Sequence, residues 1–163
     1  GAALAKAANA VVVTANYRLG VLGFLNLPQL KSGTSSAEDA CNFALLDVLQ
    51  TLEFVKQNAK VFGGDSGNVT LMGQSAGAIN TWALLASPAA KGLFHKAIVQ
   101  SGAVERMGMT LTGPQAGKHV AELTLKTLDI GPNELDRLPA IPYEQLAAAS
   151  DKAFAGAMTP QTA

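Results

Sequence analysis

Three short apolar runs interrupt the polar pattern of the chain at intervals that suit buried strands. They occupy residues 10–17, 68–73 and 96–102 and are rich in valine and isoleucine, without alternating polar positions. A continuous apolar run of this length is typical of a strand in the middle of a parallel sheet, where both faces are covered. The pattern therefore predicts three strands of a mostly parallel sheet.

Apolar residues recur three or four positions apart between and after these runs, which is the spacing of one face of a helix. Residues 41–62 carry such a stripe at Leu45, Leu49, Leu52 and Val55. Residues 75–86 carry a narrower stripe of small side chains, which we expect to lie against the sheet, at Ala76, Ile79, Ala83 and Ala86. Residues 113–132 and 142–154 are predicted to be two further helices, and no strand is predicted after residue 102.

The alternation of strand and helix predicts the fold class. Strand, helix, strand, helix, strand is typical of an α/β fold with a mostly parallel sheet and flanking helices. We expect residues 1–103 to form this core. Residues 104–163 are expected to form a helical, cap-like peripheral segment of the same domain.

Composition narrows the classes of partner. The 163 residues include 12 basic and 12 acidic side chains, so net charge favours neither nucleic acid nor an anionic membrane. No apolar run is long enough to predict a transmembrane span. The single cysteine, Cys41, has no partner for a disulfide and no companions for a zinc site. The chain begins at Gly1 without a recognisable signal peptide, and we expect it to be a piece of a longer chain whose compartment stays unassigned.

The segment Gly73-Gln74-Ser75-Ala76-Gly77 fits the pattern G-x-S-x-G, after a predicted strand and before a predicted helix. In that context the serine occupies a sharp, strained turn, and Gly73 and Gly77 let strand and helix pack closely. Ser75 is then a candidate nucleophile, and the backbone N–H of Ala76 can donate to an oxyanion. The alternative is a helix-capping serine, but a cap does not require Gly77, where glycine costs up to ~1 kcal/mol relative to alanine.

Several longer motifs carry a resemblance to a known family. "NYRLGVLGFL" (16–25), the block from Asn42 to Ala78 and "SPAAKGLFHKAIVQSG" (87–102) occur in the order of the corresponding motifs of the type-B carboxylesterases. The chain resembles this family, which includes cholinesterase-like and para-nitrobenzyl esterase-like enzymes, over about residues 9–103. Four positions carry residues other than the usual family ones, and none of them is the nucleophile: Ala44, Phe54, Ser66 and Gln74.

The resemblance implies part of an α/β-hydrolase fold and hydrolysis of small carboxylic esters through a Ser-Glu-His triad, with no metal or cofactor. It places Ser75 at the nucleophile, with Gly73, Gln74 and Gly77 around it, and Ala76 in the oxyanion hole. It also implies that Ser101 supports the acid of the triad by hydrogen bonding. Arg18 and Asp47 resemble a buried structural ion pair of the family.

Parts of that machinery have no counterpart in residues 1–163. The family's glycine-rich oxyanion loop, acid and histidine are expected in missing N- and C-terminal parts of the same chain. His95 and His119 are predicted to lie away from Ser75, and Glu105 is a candidate acid whose favoured interpretation is a solvated loop carboxylate. We therefore expect the chain to be inactive in isolation.

Two choices stay open at this point. A non-catalytic, cholinesterase-like binding or adhesion protein on the same fold is the alternative function, although such proteins often lack the nucleophile that Ser75 provides. Trp82 is expected in the core, with a platform for substrate as the alternative.

Overall fold

The computed structural model describes residues 1–102 and 114–158, which belong to two compact units. The first comprises Gly1–Tyr17 and the described part of Leu45–Val104. The second comprises Arg18–Ala44 and the described part of Glu105–Ala163. The division into a core over 1–103 and a peripheral segment over 104–163 stays a prediction.

A parallel pair of strands forms the centre of the first unit. Strand β1 (Thr70–Gln74) pairs with β2 (Lys96–Gln100), so that Thr70 lies opposite Lys96 and Gln74 lies opposite Gln100. The connection between them is a helix, numbered α5 here (Ala76–Ala86), and a short 3₁₀ helix (Pro88–Ala90). Parallel neighbouring strands need such a crossover because the chain must return to the end of the sheet at which the first strand began. The two strands predicted over 68–73 and 96–102 are confirmed, with ends shifted by one or two residues.

The strand predicted over residues 10–17 is wrong. Helix α1 (Ala2–Ala8) is followed by a segment with neither helix nor strand, in which Val11 and Val13 are about half exposed. The sheet of the described residues contains β1 and β2 alone. A strand exists through its ladder of hydrogen bonds to a neighbour, and a valine-rich pattern reports β propensity without supplying that neighbour.

Helix α4 (Phe43–Asn58) contributes one side of the first unit's core from Leu45 onward. Leu52 packs with Leu84, Ala90 and Leu93, and the partly buried Leu45 and Leu49 lie against this cluster as their spacing predicts. A 3₁₀ helix (Ala59–Phe62) extends α4 as far as Gly63, whose φ of 78° ends it. The helix predicted over 41–62 is therefore confirmed as an α-helix with a 3₁₀ ending.

The stripe predicted on α5 is wrong. The buried side chains of this helix are Ala78, Thr81 and Leu84. Thr81 is buried although it is polar, because its hydroxyl donates to the Gly77 carbonyl at 2.9 Å. A search for apolar spacing passes over such a threonine and selects the neighbouring face.

The described part of the second unit is helical. Its α-helices are α2 (Gly20–Phe24), α3 (Ser36–Asp39), α6 (Pro114–Thr127) and α7 (Tyr143–Met158). Two 3₁₀ helices lie at Pro28–Leu30 and Leu135–Ala140. Leu27, Ala121, Leu125 and Ile130 form its core. Residues 114–158 contain no strand, in agreement with the prediction, and no helix within the described ranges is both long and apolar enough to cross a membrane.

The start of α2 explains one glycine of the motif at 16–25. Gly20 has a φ of 54°, and a Cβ there would lie only 2.9 Å from the Ser150 hydroxyl oxygen. That same hydroxyl accepts a hydrogen bond from the backbone N–H of the buried Val21, at 3.3 Å. A residue of α7 thus satisfies a donor that the first turn of α2 leaves without an intrahelical acceptor.

Candidate active site

Ser75 lies between β1 and α5 with backbone angles of φ 54° and ψ −119°. A positive φ is uncommon for a residue with a side chain and is maintained only where the surroundings impose it. The Ser75 N–H donates to the Gln100 carbonyl at 2.9 Å, and its own carbonyl accepts from the N–H groups of Ala78 and Ile79 at 2.9 and 3.1 Å. The side chain is exposed and makes no capping hydrogen bond. The capping interpretation therefore fails, and the hydroxyl stands at the surface of the turn.

The two glycines that flank the serine differ in the space around them. A Cβ on Gly73 would collide with the carbonyl oxygen of Gly77 and lie 2.7 Å from the nitrogen of Ala78. A Cβ on Gly77 would meet no described atom within 4 Å. Lack of space thus explains the glycine at position 73 in this structure and leaves the one at position 77 without a packing reason. Gln74 ends β1 with an exposed side chain.

Ala76 begins α5 directly after the serine. The N–H groups of the first helical turn have no intrahelical acceptor, and the helix dipole concentrates positive potential at that end. The N–H of Ala76 is therefore available in position and polarity to donate to an anionic oxygen formed next to Ser75.

Ser101 follows β2 as Ser75 follows β1. Because Gln74 and Gln100 are paired in register, both serines follow the sheet at the carboxyl end of its strands. Ser101 has a φ of 51° and is exposed. The next residue lies against α5, where a Cβ on Gly102 would collide with the Ala78 side chain and approach the Ser75 carbonyl to 3.0 Å.

Trp82 is not a core residue. Its side chain is 46% exposed, and its indole nitrogen donates a hydrogen bond to the Gly102 carbonyl at 3.2 Å. Helical spacing places Trp82 on the same face as positions 75 and 78, but nothing in the spacing indicates the contact with Gly102.

His95 does not supply a base at this turn. His95 donates its backbone N–H to the Val69 carbonyl at 2.8 Å, and its Nδ1 accepts from the Val69 N–H at 3.2 Å. Since Val69 precedes β1, His95 lies at the end of the sheet opposite Ser75. His119 lies on α6 in the second unit. Glu105 lies outside the described residues.

Arg18 stacks over the ring of Phe43, with 5.1 Å between the guanidinium carbon and the ring centroid. The backbone carbonyl of Asp47 accepts from the Thr51 hydroxyl at 2.9 Å within α4. The ion pair between Arg18 and Asp47 stays a prediction. In the described parts of the chain, no group of three His, Cys, Asp or Glu side chains is arranged to hold a metal ion.

A perturbed carboxyl group lies in the second unit, in a loop between helices. The pKa of Glu134 is lowered from its ordinary value, first by the hydrogen bond from the Gly131 N–H and then by the charge of Arg137. The Glu134 carboxylate and Arg137 are 3.3 Å apart and both half exposed. This arrangement closes a loop and does not define a second site.

A serine on a strained turn above a parallel sheet is typical of α/β-hydrolases. The model of the carboxylesterase family matches residues 1–161. The chain belongs to the carboxylesterase family, which confirms the resemblance to type-B carboxylesterases and the predicted partial α/β-hydrolase fold.

Known relatives extend well beyond the matched region. The para-nitrobenzyl esterase of Bacillus subtilis is 43% identical over 152 residues, which are 93% of this chain and 29% of that protein. Carboxylesterase 5A of Felis catus is 45% identical over 102 residues, 63% of this chain and 17% of its own length. A carboxylesterase of Geobacillus stearothermophilus, solved at pH 6.2, superposes with a TM-score of 0.83 at 39% identity, over 97% of this chain and 32% of that one. The chain thus spans less than a third of the length of these curated relatives.

Proposed function

We propose that this chain carries the nucleophile of a serine carboxylic-ester hydrolase and that Ser75 forms the acyl-enzyme. The observation that carries the proposal is the geometry of Ser75. Its strained backbone presents an exposed side chain at the N-terminus of α5, and the hydroxyl makes no capping hydrogen bond to the helix. Membership of the carboxylesterase family supports it. The naming of the Bacillus subtilis relative for para-nitrobenzyl esters supports a small carboxylic ester as substrate.

In the proposed reaction, the Ser75 Oγ attacks the ester carbonyl carbon while a histidine takes its proton. The N–H of Ala76 donates to the oxyanion of the tetrahedral intermediate. The bond to the alkoxy oxygen then breaks, and the alcohol leaves with the proton from the histidine. Water attacks the acyl-enzyme in the same manner, which releases the carboxylic acid and restores Ser75.

The histidine and the acid that orients it are proposed to come from residues outside 1–163, with Ser101 hydrogen-bonded to the acid. The first unit's histidine, His95, lies at the wrong end of the sheet to act on Ser75. An unactivated serine is a weak nucleophile, and removal of the histidine from a serine hydrolase costs about 10⁶-fold in turnover. The 163-residue chain by itself is therefore expected to be inactive.

Ser75→Ala in the full-length protein tests the proposal. Hydrolysis of para-nitrobenzyl acetate, followed by release of the alcohol, is expected to fall by roughly 10⁴-fold or more. Ser36→Ala is the matched control, because Ser36 is an exposed serine of α3 in the second unit. Unchanged hydrolysis in a folded Ser75→Ala protein would refute the assignment.

A further inference from the structure

Trp82 lies between the two motif blocks, residues 42–78 and 87–102, that carry the family resemblance, and it contacts Gly102 at the end of the second. Trp82 is the one tryptophan of the 163 residues. Nearly half of its side chain is exposed, so burial of the ring explains only part of its placement. The ring also makes a directional contact, since the indole N–H donates to the carbonyl of Gly102, 20 positions further along the chain.

Three contacts on one face of the serine-bearing turn and α5 hold the segment from Gln100 to Gly102. The Ser75 N–H donates to the Gln100 carbonyl at 2.9 Å. The backbone of Gly102 lies so close to Ala78 that a Cβ would not fit. The Trp82 indole then donates to the Gly102 carbonyl at 3.2 Å. The spacing of 75, 78 and 82 places these contacts along a single line on the helix.

We propose that Trp82 is a positioning residue, which fixes the Ser101–Gly102 turn against α5 and thereby helps to hold the strained backbone of Ser75. The inference rests on the proposed function, since it concerns the rate at which Ser75 reacts. A backbone with positive φ at a residue with a side chain persists only when several contacts determine it together. Trp82 supplies the contact at the far end of the series, while the Gln100 carbonyl binds Ser75 directly.

The effect on rate is expected to be moderate. An ordinary neutral hydrogen bond corresponds to roughly threefold to tenfold in a rate. Loss of the Trp82 bond is therefore expected to lower kcat by about that factor. KM is expected to change by less than about twofold, because Trp82 acts on the position of the nucleophile and not on ground-state binding of the ester.

The test removes the N–H without removing the ring. In the full-length enzyme, Trp82 is replaced at that position alone by 3-benzothienylalanine, in which sulfur takes the place of the N–H group. The matched control is 5-fluorotryptophan, which retains the donor. The sulfur analogue is expected to lower kcat for para-nitrobenzyl acetate by roughly threefold to tenfold, and the control to keep the parent value. Thermal midpoints are measured for both.

The outcomes separate this inference from the proposed function. If kcat of the sulfur analogue stays within twofold of the control, while Ser75→Ala abolishes hydrolysis, Trp82 has no positioning role and the function stands. The inference is also overturned if both analogues lower kcat and the thermal midpoint equally, since the ring and not the N–H would then matter. If Ser75→Ala retains hydrolysis, the proposed function fails first.

Discussion

At the scale of single residues, the turn at Ser75 depends on its backbone hydrogen bonds and on the space around the neighbouring glycines. Ser75 holds a positive φ because its N–H and carbonyl are both bonded, to Gln100 on one side and to the first turn of α5 on the other. Gly73, two residues earlier, lies against the backbone of Gly77 and Ala78. The sequence motif treats Gly73 and Gly77 alike, but the structure distinguishes them by the space around each.

Gly73→Ala is expected to destabilise the full-length protein by roughly 1–3 kcal/mol, because its methyl group collides with backbone that cannot move without displacing α5. Gly77→Ala is the matched control, and its free energy of unfolding is expected to stay within about 1 kcal/mol of the parent, since the added methyl meets open space. Denaturant unfolding measures both. An equal loss in the two variants would contradict this account of the turn.

At the scale of elements, helices and strands with a regular apolar pattern could be predicted from the sequence. Elements that depend on a distant partner or on a buried polar side chain could not. The helix beginning at Phe43 and the strands β1 and β2 were predictable because a regular apolar pattern matched their burial. The segment 10–17 was not, because its valines need a neighbouring strand that the local sequence does not specify. The buried face of α5 was missed because Thr81 satisfies its hydroxyl within the helix.

The candidate site divides in the same way. Ser75, Ala76 and their position after a strand could be predicted, because the G-x-S-x-G pattern is local in sequence. The contact of Trp82 with Gly102 joins residues 20 positions apart and depends on how β2 lies beside α5. No periodicity of the chain encodes that distance.

Ser150→Ala tests the packing of α7 onto the start of α2. The substitution leaves the buried Val21 N–H without its acceptor, and the free energy of unfolding is expected to fall by about 1–3 kcal/mol. Asp151→Ala, at the next and exposed position of α7, is expected to change it by less than about 0.5 kcal/mol. Unfolding of each full-length variant in urea gives the comparison. A Ser150→Ala protein as stable as the control would show that this hydrogen bond contributes nothing.

At the scale of the whole molecule, the outer face of the sheet in the first unit is notable for its apolar side chains. Met72 and Ile98 lie opposite each other in register and are 51% and 44% exposed. Parallel sheets are normally covered on both faces, and exposed apolar surface beside unpaired strand edges favours association.

The isolated 163-residue chain is therefore expected to self-associate in a concentration-dependent way. Met72→Lys is expected to reduce that association, because it places a charge in the middle of the apolar face. Thr70→Lys is the matched control on the same face of β1, where the native residue is already polar. Sedimentation velocity of the three proteins decides the matter. Equal association in all three would show that this face is not responsible.

The central claim is that Ser75 is the nucleophile of an ester hydrolase. The most direct measurement treats the full-length, folded protein with a fluorophosphonate, which reacts covalently with activated serines, and locates the adduct by peptide mass spectrometry. The account predicts a stoichiometric adduct on Ser75, absent from a heat-denatured sample, and loss of para-nitrobenzyl acetate hydrolysis in step with labelling. Hydrolysis that persists at full labelling of Ser75, or an adduct on another serine that tracks the loss of activity, would contradict it.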